Sequence, residues 1–233
     1  MRRKGLIVLT VAMAALVFFS SESCKSSPEK GLLSAYFHAI SLKDTTTMAT
    51  MAIEPESIDA QSWQVVSVSP EKAVPFDLAD LNKKELEFKK KLEDHVGPVM
   101  EAEDAKYTAE EEVKTARTPG ARAAGKKKIE EATAKYDQER EAHRQLQKGY
   151  NDAKAAAQKE QDVALFSLSA GDIPNIRDLT GTIYSKTVDI KAVEKGGQTK
   201  SYRFSLERYV LKDETSNLTR SGQWKIIKIE PLV

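Results

Sequence analysis

The spacing of hydrophobic positions changes along the chain, and each change marks a new kind of element. In "EKGLLSAYFHAISLKD", Leu32, Leu33, Tyr36, Phe37 and Ile40 recur at helical spacing. They predict an amphipathic helix of about four turns. "TTTMATMAIEP" predicts a shorter second helix, capped by Thr45 or Thr46 and stopped by Pro55. "WQVVSVSP" is rich in β-branched residues and reads as a strand.

From Leu78 to Leu168 Gly and Pro become sparse, and 18 basic and 19 acidic residues occupy 91 positions. With Leu78 at heptad position a, the a series is Leu78, Glu85, Leu92, Val99, Lys106 and Val113. The d series is Leu81, Phe88, His95, Ala102, Ala109 and Ala116, so nine of twelve seam positions are apolar. A second seam runs through Ile129, Tyr136, His143, Tyr150, Ala157 and Ala164, alternating with Ala132, Glu139, Leu146, Ala153 and Glu160. Seams sustained this long predict helices packed on each other. Between them Thr118-Pro119-Gly120 stops one helix and offers a cap with a first-turn proline for the next. Two antiparallel arms folding back at about residue 119 follow, each of ~40 residues and ~60 Å.

After Ser169, "GDIPN" breaks the helical pattern and period-two alternation takes over. "TIYSKTVDIKAV" puts Tyr184, Val188 and Ile190 on one face, "EKGGQ" makes the turn, and "SYRFSLERYVL" alternates Tyr202, Phe204 and Leu206 against Arg203, Ser205 and Glu207. "GQWKIIKIEPLV" closes the chain. This predicts an antiparallel sheet with one face buried. The fold class expected is α+β: N-terminal helices packed on a curved antiparallel sheet, with a long inserted antiparallel α-helical hairpin. The α+β parts are 31–77 and 169–233, and the hairpin is 78–168.

The N-terminus follows different rules. Arg2, Arg3 and Lys4 precede an uncharged run from Leu6 to Phe19, and "SSESC" follows. Fourteen residues at ~1.5 Å each span ~21 Å, short of a ~30 Å hydrocarbon core. The order positive, apolar, small fits a secretory signal over 1–23 better than an uncut membrane helix. Ser21 and Ser23 flank a cleavage position before Cys24, the only cysteine. That junction resembles a bacterial lipoprotein lipobox, although Ser21 stands where the pattern prefers Leu and Glu22 where it prefers a small residue. The resemblance implies lipidation of Cys24, with 24–30 as a tether. The exported protein is then lipid-anchored on the periplasmic side of a bacterial membrane. Lys25 after the cysteine, in place of Asp, favours the outer membrane. A lone cysteine has no internal disulfide partner, and acylation gives it a use.

Net charge is +1 from 36 basic and 35 acidic side chains. No global basicity points to nucleic acid, and removal of 1–23 leaves −1. The charge that stands out is local. Lys114, Arg117, Arg122, Lys126, Lys127 and Lys128 cluster around the fold-back with no acid among them. Pairing of Lys126 to Lys128 with Glu110 to Glu112 on the other arm explains them as register-setting charges. Contact of Arg117, Arg122, Lys126, Lys127 and Lys128 with an envelope protein or anionic surface is the functional alternative.

A helix like "LLSAYFHAISLKDTTTMATMA", a strand after it and a closing "SGQWKIIKIE" strand resemble the nuclear transport factor-2-like (cystatin-like) superfamily. The resemblance covers about residues 30–69 and 178–231. It implies a curved sheet around an N-terminal helix, and the superfamily hosts both enzymes and binding modules.

Candidate chemistry is thin. "GARAAGKK" fits a phosphate-loop spacing but puts Lys127 where Ser or Thr is needed, and helical sequence flanks it, so no nucleotide cofactor is expected. His95 and His143 fall at facing depths of the two seams, and a pair falls short of a metal site. Trp63 and Trp224 read as core or as the lining of a pocket under the sheet. No catalytic constellation emerges, which points away from an enzyme. The expectation is a non-enzymatic, membrane-anchored envelope protein that works as an interaction or scaffold module through its hairpin. The alternative is a ligand-binding or enzymatic module in the sheet pocket. The sequence leaves the partner and the oligomeric state open.

Overall fold

The computed structural model describes residues 27–232. It is an α+β structure around a curled, six-stranded antiparallel sheet. The helices are α1 (Pro28–Leu42), α2 (Thr45–Met51), α3 (Leu78–Asp94), α4 (Val96–Thr115) and α5 (Pro119–Leu168). The strands are β1 (Ala60–Val68), β2 (Lys72–Pro75), β3 (Thr180–Glu194), β4 (Thr199–Asp213), β5 (Leu218–Ser221) and β6 (Lys225–Leu232). β3 and β4 form the spine, with β1 and β2 on the outer edge of β3 and β5 and β6 on that of β4. β2 and β5 have four residues each, all exposed, and carry too little pattern to have been anticipated.

The expectation of one buried face fails. The β3–β4 pairing runs in one unbroken register from Thr180↔Lys212 to Val193↔Thr199, so residue parity alone assigns each side chain to a face. Val188, Ile190 and Ala192, with Phe204 and Leu206, pack on Leu33, Tyr36 and Phe37 of α1. Ile183, Tyr209 and Leu211 have the opposite parity. They pack on Phe76, Leu78, Ala157 and Val163, with Ile173, Ile176 and Leu179 closing that side. One ribbon thus carries two cores, on opposite faces and at opposite ends. Each fully buried Leu, Ile or Phe contributes about 1.5–3 kcal/mol, so neither core is decorative.

α1 is fixed at its start and at its middle. Glu29, in its first turn, accepts a 2.6 Å bond from Lys186 of β3, and both side chains are about nine-tenths buried. Burial alone would raise the Glu29 carboxyl, but the Lys186 ammonium and local hydrogen bonds hold it below the usual range. Removing one partner of such a pair costs about 3–5 kcal/mol, because it strands the other charge. Further along, the Tyr36 hydroxyl donates to the Glu56 carbonyl and accepts from its amide, both at 2.9 Å. α2 is capped by Asp44, whose carboxylate accepts from the Thr47 amide, and not by Thr45 or Thr46. It ends at Met51, short of Pro55.

The expected first arm is two helices. Pro98 has no amide to donate to the Asp94 carbonyl, and its ring crowds that carbonyl, so the chain breaks at His95 and restarts. α5 is unbroken for 50 residues, ~75 Å. Thr118 caps it, accepting from the Ala121 amide at 3.2 Å, with Pro119 in the first turn. Contacts between the arms run antiparallel: Phe88 against Gly149, His95 beside His143, Lys106 over Tyr136 and Val113 against Gly125.

The C-terminal end of α5 is stitched to the sheet by Ser167, which is fully buried. Its hydroxyl donates to the Gln223 carbonyl at 2.9 Å and accepts from the Tyr209 amide at 3.1 Å. Its carbonyl accepts from the Gln223 amide at 2.8 Å. Gly222 passes so close that a Cβ there would strike the Ser167 hydroxyl and backbone. Gly222→Ala is therefore expected to destabilise the protein by about 1–3 kcal/mol, read as a lower urea midpoint at unchanged m-value.

Candidate functional site

Two places combine geometry with unusual chemistry. The first is a cleft of about 980 Å³ between α2, α5 and β6. Its apolar lining includes Ala52, Ile53, Val163, Phe166 and Ile227, and Lys159 stands at its rim. Behind the Phe166 wall lies Lys225, only 6% exposed. Its ammonium donates to the Thr50 carbonyl at 2.8 Å and sits 4.8 Å above the Phe166 ring. Burial pushes its pKa down, and no carboxylate among the described residues compensates for the lost water.

Glu207 is the cross-strand partner of Lys225, but its carboxylate is engaged elsewhere. It lies 3.2 Å from the Tyr209 hydroxyl, and Glu160 of α5 approaches that hydroxyl at 3.0 Å from the other side. A phenol has one proton to give and two carboxylates here ask for it. All contacts are satisfied only when one carboxyl is protonated and donates to the phenol oxygen. The charges agree: burial raises Glu160 and Glu207, and Tyr209 is raised by burial and by both carboxylates. The cluster is placed to hold one proton between α5 and the sheet. Sequence reading missed it, because Glu160 and Tyr209 meet only through the tertiary fold.

The second place is the helical hairpin. His95 Nε2 lies 3.2 Å from Glu139, and the His95 and His143 rings are 5.9 Å apart, each with a buried Nδ1 that finds no partner. Among the described residues no group of three or more His, Cys, Asp or Glu is placed to hold a metal.

At the tip the five expected cations take different roles. Lys128 bridges to Glu112 across the arms at 2.8 Å, the one cross-arm pair of the set among the described residues. Lys127 reaches Glu131 along its own helix at 4.0 Å. Arg122 Nε donates to the Ala116 carbonyl at 3.0 Å and closes the end of α4. Arg117 and Lys126 make no ion pair among the described residues. Pairing with Glu110 to Glu112 thus accounts for Lys128 alone. Cys24 lies outside the described residues.

No protein-family model matches the chain, and neither does any curated protein or solved structure. Among the described residues no helix is long and apolar enough to cross a membrane.

The Glu160–Tyr209–Glu207 cluster makes stability pH-dependent, with a determined sign. Raised carboxyl pKa values mean that the native state binds more protons than the unfolded chain, so its contribution is present at low pH and lost as pH rises through the raised values. Wild-type urea midpoints are expected to fall as pH rises above ~4.5, the ordinary Glu value. Glu160→Gln, which keeps a donor for the phenol oxygen at every pH, is expected to flatten that dependence. A parallel profile in the variant would exclude the shared proton.

Proposed function

We propose that this protein is a non-enzymatic, lipid-anchored cell-envelope module that engages a partner through its helical hairpin. The observation that carries this reading is the hairpin itself. Away from the sheet, α4 and the facing part of α5 bury little beyond Ala102, Ala109 and Gly125 in their own seam. Their tip bears Arg117, Arg122, Lys126, Lys127 and Lys128, of which one has a carboxylate on the opposite arm. A long paired arm that no other described element covers, with Arg117 and Lys126 outside any ion pair among the described residues, is suited to reach and touch. In this reading the α+β core, with α1 on a curled antiparallel sheet, is the nuclear transport factor-2-like part, and the hairpin is an insertion between β2 and β3.

The cleft favours a second reading, ligand binding on the sheet face that carries α5. Its apolar floor and the desolvated Lys225 behind it suit a ligand with an apolar body.

Two experiments test the first reading. Metabolic labelling with a fatty-acid analogue is expected to mark the wild type and not Cys24→Ala; equal label in both removes the anchor. A photo-crosslinking residue at position 122 is expected to capture one envelope component, and Lys126→Glu with Lys127→Glu to abolish the adduct. These exposed charges are worth at most about 1 kcal/mol each, so the helical circular dichroism stays unchanged. An adduct that survives the double reversal rules out the tip as the contact.

A further inference from the structure

The sheet face that carries α1 ends in a row of aromatic and cationic side chains. Tyr184 and Arg208 are cross-strand partners on β3 and β4. The Arg208 guanidinium lies 4.8 Å from the centre of the Tyr184 ring and 5.3 Å from that of Trp224. Lys186, held by Glu29, covers Trp224 at 4.2 Å. Two rings thus fix the plane of the Arg208 side chain.

Its charge is only loosely matched. The Glu71 carboxylate forms a long ion pair at 3.9 Å without a hydrogen bond, and Arg208 Nε is buried with no acceptor among the described residues. The side chain is 30% exposed, so its outer edge meets solvent. Thr182 and Val210, the next cross-strand pair on this face, belong to neither core.

We propose that Arg208, framed by Tyr184 and Trp224, clamps the phosphate of a phospholipid headgroup and seats this face of the sheet on the bilayer. This rests on the anchor reading above. Cys24 stands three residues before Ser27, a reach of at most ~11 Å. Glu29, two residues further on, is one ion pair from the stack. A lipidated Cys24 therefore keeps the N-terminus of α1, and with it the Glu29–Lys186 end of the stack, close to the membrane surface. The chemistry matches the occupant: Trp and Tyr suit the membrane–water interface, and a planar guanidinium takes phosphate oxygens in pairs.

The test uses the acylated full-length protein in vesicles of phosphatidylethanolamine and phosphatidylglycerol carrying a headgroup nitroxide lipid. Trp63 and Trp224 are the two tryptophans, so a Trp63→Phe background reports Trp224 alone. Quenching of Trp224 is expected, and Arg208→Gln is expected to lower the docked-to-undocked ratio about fivefold, the worth of one cation at an anionic surface. Arg220→Gln, on the opposite face of the sheet, is expected to leave it unchanged. Arg208→Lys keeps the charge without the fork and is expected to restore only part of the lost docking, which gives a second readout if Arg208→Gln does not fold. Quenching indifferent to Arg208, or reduced equally by Arg220→Gln, overturns the clamp. So does a Trp224 shift produced in detergent by inorganic phosphate alone, which assigns the site to a free anion. An acylated chain with unquenched Trp224 sinks the clamp and spares the anchor. A chain with no acyl mass on Cys24 sinks both.

Discussion

The unbroken register of β3 and β4 is the constraint from which the rest of the architecture follows. A ribbon of two 15-residue strands without a bulge between them cannot turn a side chain from one face to the other. Its apolar residues nevertheless change parity along its length, from Ile183 to Val188 on β3 and from Leu206 to Tyr209 on β4. Two separate coverings are therefore obligatory. α1 and α2 provide one, and the base of the helical hairpin provides the other. The hairpin base is thus structural, whatever the arm beyond it does.

Polar groups follow the same division. On the α1 face the buried charges are matched, Glu29 with Lys186 at 2.6 Å. On the α5 face they are not: Lys225 has a carbonyl for company, and Glu160 and Glu207 compete for one phenolic proton. Burial without a counter-charge is expensive, and a protein retains it where the adjoining surface is shaped around it. The cleft beside Phe166 is on this same face.

The coarse fold was legible because its signals are local. Period-two alternation marked β3 and β4, a β-rich closing run marked β6, and helical spacing marked α1 and the long helical region. Thr118-Pro119 acts as the cap and first turn that its residue types suggest. Three things were not legible, each for a physical reason. A parity switch inside one strand looks like imperfect alternation, so the second core was invisible until the facing helices were in place. Asp44 sits one residue outside the threonine run and is the better acceptor for a first-turn amide, which displaced the expected cap. The proton-sharing cluster joins residues 49 positions apart, and no spacing rule reaches that far. Pro98 was readable and its consequence understated, since a seam tolerates it in side-chain pattern while the backbone does not.

That break has a mechanical meaning. One side of the hairpin is a single strut of 50 residues, and the other is two shorter rods joined at His95. A load applied at the tip passes to the sheet through the strut, whose backbone bonds are continuous down to Ser167. The jointed side transmits tension through its backbone but buckles at His95 under compression. Bending stiffness is therefore unequal in the two directions of the plane containing both helices, and the arm behaves as a spring with a preferred direction of give.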